Sequence, residues 1–211
     1  MSEAPRETPP VDPLNPDDRF TSRSGGAEFT VGDFWAWAMA DLRMNTARGM
    51  LVEYLVAKAV GAKASARVEW APFDIEAPDG TRIEIKASGY SQSWGGKDSR
   101  PSYSFGSVFS DQYWDEVEGK YRWVDPANRV HVWVFALNTT RRSSPYEALN
   151  LDCWEFRVVP HVWLLDCGQK SAALSFFDRH GIEPVGWADL PEAIKNARLE
   201  HDRLRRAPEF G

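Results

Sequence analysis

Five residues, "APDGT" at 77–81, constrain this chain more than any other stretch. Pro at the first corner, Asp at the second and Gly where a left-handed residue is needed predict a three-residue hairpin loop with a bulge. Such a loop closes Ala77 against Thr81. It then sets Glu76 opposite Arg82, Ile75 opposite Ile83, and Asp74 opposite Glu84. Cross-strand partners share a face, so Phe73, Ile75, Ile83 and Ile85 should lie on one side, and Asp74, Glu76, Arg82, Glu84 and Lys86 on the other. A two-residue loop would separate Asp74 from Glu84, because a slip of one residue inverts every side chain.

Two carboxylates facing each other across a hairpin repel unless something compensates. A hard divalent cation does so, and oxygen ligands suit Mg²⁺, which keeps several waters and takes a phosphate oxygen. Lys86, two residues beyond Glu84 on the same face, is placed to orient a water or to stabilise charge developing on phosphorus. The plain alternative is a solvent-facing hairpin. An acid-x-Lys triplet arises by chance, and Glu118 to Lys120 ("EGK") repeats it without an upstream Asp. Glu53 in "RGMLVEYLVAKAV" adds weight to the functional reading. Its helical neighbours are Gly49, Met50, Val56 and Ala57, with no Lys or Arg one turn away, and the small stripe of Gly49 and Ala57 allows close approach to another layer. A Glu on such a face is costly unless paired or bound to a metal; the alternative is that it points to water.

Around the hairpin, the pattern is that of a single domain. Residues 1–27 are rich in Pro, Ser, Gly and charge, which predicts a flexible N-terminal arm. A domain over 28–206 follows, and 207–211 forms a tail. Helices are expected over "EFTVGDFWAWAMADLRMN", capped by Thr30 or Asp33 with Phe34, Trp37, Ala38 and Leu42 on one face, and over "TARGMLVEYLVAKAVG", stopped at Gly61. Strands are expected in "ARVEW", "FDIEA", "TRIEIKA", "YSFG", "RVHVWVFAL" and "WEFRVVP". "RVHVWVFAL" reads as central because it is apolar on both faces. "HVWLLDC" fits either state, and "DLPEAIKNARLEHDRLRRA" is an amphipathic helix. The fold class is therefore α/β or α+β, a mixed sheet flanked by helices. Ten Trp among 211 residues predict an aromatic-rich core. No run is long and apolar enough to span a bilayer, and the N-terminus lacks a secretory pattern, so a cytoplasmic location is expected. Cys153 and Cys167 lack metal-site spacing and read as buried thiols. A net charge of −6 disfavours a passive coat for nucleic acid, which would be basic. It disfavours a metal-dependent nuclease less, since site carboxylates are offset by the cation.

On these residues the chain resembles the PD-(D/E)xK nuclease superfamily, of restriction-endonuclease-like fold. The matching pieces are Glu53 on a helix, Asp74 ahead of the turn and "EIK" at 84–86. More narrowly, it is similar to a bacterial group of uncharacterised nuclease-like proteins, here through "ARGMLVEYLVAKAVG", "EWAPFD", "DGTRIEIKAS" and "QSW". The resemblance spans about residues 30–175. It implies Mg²⁺, with Mn²⁺ as substitute, held by Asp74 and Glu84, with the Ile85 carbonyl a further ligand and Glu53 binding directly or through water. Lys86 would position the attacking water, and Gln92 would stand near the site. Phe73 precedes Asp74 where the motif has Pro, and Ala87 replaces an expected Ser, leaving Ser88 as the nearest hydroxyl. The implied activity is hydrolysis of phosphodiester bonds in DNA by a metal-activated water. The alternative is a catalytically silent nuclease-fold protein that binds or scaffolds within a defence or repair complex. Nucleic acid is the expected partner, with a homodimer or protein partners also compatible.

Arg48, Ser88, Tyr90, Trp94, Arg141 and Arg142 are candidate substrate contacts of lower rank. Arg48 suits a backbone or phosphate contact at a helix start, Tyr90 and Trp94 could stack on bases or equally wall the core, and Arg141 and Arg142 fit phosphate contacts less well than a solvated turn. Trp114 is assigned to the core. His131 reads as a sheet-face core histidine, and His161, His180 and His201 are scattered in sequence with no metal-binding spacing.

Overall fold

In the computed structural model, the structure describes residues 12–63, 67, 72–93, 104–106, 112–115, 120–123, 130–168 and 171–206, with 112–115 and 120–123 described by backbone alone. The central sheet is mixed, in the order β3 (Ile75–Glu76), β4 (Arg82–Gly89), β8 (Val132–Asn138), β9 (Trp154–Pro160). β4 runs parallel to β8 and antiparallel to β3, and β9 is antiparallel to β8. Every residue of β8 is buried, as its two-faced apolar sequence requires.

Two cores lie on opposite faces of this sheet. On one, Ile83 and Ile85 of β4 and Val132, Val134 and Ala136 of β8 meet Val52 and Val56 of α2 (Asn45–Ala59). The last helix, α5 (Leu190–Arg206), adds Leu190, Ile194 and Ala197 to the same core. On the other face, Trp133, Phe135 and Leu137 pack with Phe176 and Phe177 of α4 (Leu174–Arg179) and Leu164 of α3 (His161–Asp166). Phe105 of the short strand β5 (Ser104–Phe105), which pairs with β10 (Ala172–Ala173), completes it. This second core is the aromatic one. Phe135 and Phe177 sit with ring centroids 4.9 Å apart, a separation that favours tilted aromatic pairs.

Helix α2 ends where the sequence places its stop, with Gly61 at φ +67°, a conformation that costs other residues a Cβ clash. Helix α3 settles the ambiguous "HVWLLDC". The segment "FDIEA" contributes only the two residues of β3, while "ARVEW" lies almost wholly outside the described residues. A further pair, β6 (Gln112–Asp115) and β7 (Lys120–Trp123), is antiparallel. It includes Trp114, whose side chain lies outside the description, as do Glu118, residues 1–11 and 207–211.

Two expectations for the N-terminal part are corrected. The flexible arm expected through residue 27 gives way at Arg19 to a hairpin, β1 (Arg19–Ser22) with β2 (Gly25–Thr30), turned at Gly25 with φ +131°. Polar composition hid this hairpin because its stabilising pair, Phe20 against Phe29 at 5.0 Å, consists of two isolated aromatics. Helix α1 (Val31–Ala38) does start at Thr30, which forms a reciprocal capping box with Asp33. Its expected apolar face is not buried, however: Phe34 is exposed and Trp37 is 79% exposed. Cys153 and Cys167 are free thiols, half-buried rather than buried.

Candidate functional site

The hairpin forms in the register its turn dictates. The Ala77 amide donates to the Thr81 carbonyl at 2.9 Å, Glu76 pairs with Arg82, and Ile75 with Ile83. Gly80 takes φ +80°, and the Asp79 carboxylate accepts from the Thr81 amide at 2.9 Å, which locks the loop.

One residue further out, the ladder departs from its expected course. The Asp74 amide, beside Ile75, donates to the Ile83 carbonyl at 3.1 Å, and the strand ends there. Two residues thus crowd one partner, the signature of a bulge. The Asp74 side chain then takes the ladder's next place: its Oδ2 accepts from the Ile85 amide at 2.6 Å. Asp74 and Glu84 are therefore neighbours through a bulge, not directly opposed partners. The same irregularity explains Phe73, which packs against the aromatic core and under the Arg82 guanidinium instead of joining Ile75 on the other face.

The bulge brings charge together in a half-buried corner. Glu84 is 8% exposed. Lys86 donates from Nζ to Glu84 Oε1 at 2.9 Å and also lies 5.6 Å over the Trp133 ring. Burial, then the Glu84 carboxylate, push the Asp74 carboxyl up to about 7; the Ile85 amide pulls the other way, and Glu53 adds a further upward push. Glu84, Glu53 and Lys86 thus all act on the Asp74 carboxyl.

Glu53 has a partner that the helix pattern could not reveal. Arg67, from the segment between α2 and β3, donates Nε to Oε2 at 2.5 Å and Nη2 to Oε1 at 3.0 Å. Among the described residues no group of three His, Cys, Asp or Glu side chains is arranged to hold a metal ion. The donors on hand are the Asp74 and Glu84 carboxylates. Their chemistry fits Mg²⁺, which is commonly held by one or two carboxylates and completed by water and phosphate. Burial and the Glu84 carboxylate raise the Asp74 titration, and a cation bound there would oppose both effects.

A cleft of about 310 Å³ opens beside Lys86 and Ile85, lined further by Asn45, Arg48, Ser88 and Gln92. Arg48 is buried and joins α2 to the segment after β4: it donates to the carbonyls of Arg43 at 3.1 Å and Ser91 at 3.5 Å and to Gln92 Oε1 at 2.9 Å. Gln92 in turn donates to the Gly89 carbonyl at 3.1 Å. Ser88 is buried in the cleft wall. Tyr90 packs against the aromatic core, and its carbonyl accepts from Arg142 at 3.1 Å. Arg141 is exposed, and Trp94 lies outside the described residues.

Sequence reasoning missed a cluster of three histidines. His131, His161 and His201, far apart in the chain, converge where α5 meets the start of β8, with ring centroids of His131 and His201 5.4 Å apart. His131 behaves as the core residue expected, its Nδ1 accepting from the Arg82 amide at 2.9 Å. No local spacing could have flagged the cluster, since tertiary packing alone assembles it. A scan against protein-family models gives no match for this chain, and a search of curated proteins gives none either.

Proposed function

We propose that this protein is a metal-dependent nuclease with a restriction-endonuclease-like core, hydrolysing phosphodiester bonds in DNA. The observation that carries the reading is the corner at the β3–β4 edge. The Asp74 carboxyl is held high by burial and then by the Glu84 carboxylate, a lysine stands 2.9 Å from that second acid, and Lys86 and Arg48 line the cleft. Asp74 and Glu84 would hold a divalent cation, which would supply charge neutralisation and polarisation of the phosphate. Lys86, held by Glu84 and backed by Trp133, orients the attacking water and stabilises charge developing on the phosphate oxygens. The Ile85 amide fixes the Asp74 carboxyl in place, which limits reorganisation as charge shifts. Ser88 and Gln92 shape the cleft wall that receives the strand.

A second reading has its own observation: both Glu53 oxygens are engaged by Arg67, leaving two carboxylates at the corner. That arrangement suits a silent nuclease-fold protein that binds nucleic acid without turnover. Incubating supercoiled plasmid and single-stranded DNA with Mg²⁺ or Mn²⁺ separates the two. The nuclease reading expects cleavage by the parent protein and none by Lys86→Ala; equal cleavage by both removes the mechanism, and metal binding without cleavage selects the silent reading.

A further inference from the structure

The cleft has a charge balance opposite to that of the chain. The protein carries a net charge of −6, yet among the described residues the cleft is lined by Arg48 and Lys86 and by no Asp or Glu. Arg48 is 1% exposed, and its hydrogen bonds run to neutral groups: the Arg43 and Ser91 carbonyls, Asn45 Oδ1 and Gln92 Oε1. Its Nε has no partner among the described residues. Taking a guanidinium out of water without a counter-anion is costly, because neutral dipoles replace only part of the lost hydration. Burial correspondingly depresses the Arg48 pKa, against the opposing influence of Tyr146.

The start of α2 lies at the same place and lacks anionic compensation too. Met44 at the N-cap supplies no side-chain hydrogen bond, and the first turn contains no acidic residue. The amides of Asn45, Thr46 and Ala47 donate no hydrogen bond among the described residues. Unsatisfied amides and the helix dipole together favour an anion there. Asp41, the acid just upstream, is already occupied by Arg43 at 2.8 and 2.9 Å.

We propose that this cleft is a phosphate-binding subsite, in which the Arg48 charge and the α2 N-terminus hold a phosphate group of the strand beside the one addressed by Lys86. The nuclease reading supplies the identity of the strand; the capacity to bind phosphate does not depend on it. The group is either a terminal phosphate monoester or the neighbouring diester, which share this chemistry.

The test uses the full chain without divalent cation, so that hydrolysis plays no part. Inorganic phosphate is titrated by calorimetry at low salt, and oligodeoxynucleotides ending in 5′-phosphate or 5′-hydroxyl are titrated by fluorescence anisotropy. The informative variant is Asn45→Asp, which places a carboxylate at the first helical position, within reach of Arg48. It supplies the missing counter-charge from the protein itself, so the melting temperature should rise while phosphate affinity falls by about tenfold or more. Stronger binding of the phosphorylated end identifies the monoester. Equal binding of both ends, weakened alike by Asn45→Asp, identifies the diester. Unchanged phosphate affinity in Asn45→Asp, or no phosphate binding by the parent at low salt, overturns the proposal. Phosphate binding without DNA cleavage would overturn the nuclease reading and leave the subsite standing.

Discussion

At the β3–β4 edge, burial and Glu84 push Asp74 up to about 7; where α5 meets β8, burial and neighbouring cations push His131 and His201 down to about 4. Both places bury ionisable groups, but they resolve the cost differently. His131 and His201 are held neutral near pH 7. His131 accepts from the Arg82 amide, His161 accepts from the Trp133 indole at 2.7 Å, and His201 lies fully buried with neither ring nitrogen partnered among the described residues. Arg82, Arg198, Arg205 and Asp202 surround these rings, and the first three oppose protonation. The acids cannot settle so simply, since charge on one raises the cost of charge on the other, and their neighbour is an open cleft. A perturbed titration therefore marks a functional candidate only where a ligand can reach it. The histidine cluster lies within the packing, whereas the acidic corner is the candidate site.

Asp74→Asn should break this comparison with the largest effect. It removes cleavage by at least about a hundredfold, a loss in the range expected for a group acting on transition-state charge. It also raises stability. A carboxyl whose folded pKa is raised contributes stability below its unfolded value near 3.8 and loses it as pH rises through about 7. The gain in the variant should thus grow across that window and reach on the order of 3 kcal/mol above it, read by urea unfolding at several pH values.

The histidines have the opposite sign. Their lowered folded pKa means that stability is full above about 6.5 and falls as pH drops toward 4. In Asp74→Asn this acid-side loss should steepen, because the opposing carboxyl is gone. His131→Ala should cost about 2 kcal/mol by leaving the Arg82 amide unsatisfied, with no change in the response to Mn²⁺. A changed metal response would join the two regions that the comparison separates.

The smallest effect concerns Arg67→Ala. The Glu53–Arg67 pair is partly exposed on the arginine side, with 47% of that side chain accessible, so stability should change by less than about 1 kcal/mol. Freeing Glu53 beside Asp74 should nevertheless tighten Mn²⁺ binding several-fold in a calorimetric titration. Unchanged affinity would place Glu53 outside the metal's influence.

The site was legible in sequence to the extent that local rules fix geometry. "APDGT" set the loop, the Ile75–Ile83 register and the common face of Glu84 and Lys86, and the two-faced apolar run identified β8 as central. Local rules stop at Asp74, because the bulge there arises when a side-chain carboxylate competes with the backbone for the Ile85 amide. Partners distant in sequence were invisible for the same reason: Arg67 for Glu53, the three histidines for one another, and Gln92 for Arg48 meet only after the sheet and helices have packed. The exposed aromatics of α1 mark a further limit, since spacing alone reports a face and not what covers it.

The central claim is that Asp74 and Glu84 form a cation-binding corner beside Lys86. Anomalous diffraction from crystals soaked in Mn²⁺ tests it most directly. The account predicts a peak within coordinating distance of both carboxylates, about 2.1 Å for a Mg²⁺-like ion, that disappears in Asp74→Asn. A saturating soak with no peak at this corner, or with Mn²⁺ bound elsewhere and both carboxylates untouched, would contradict it.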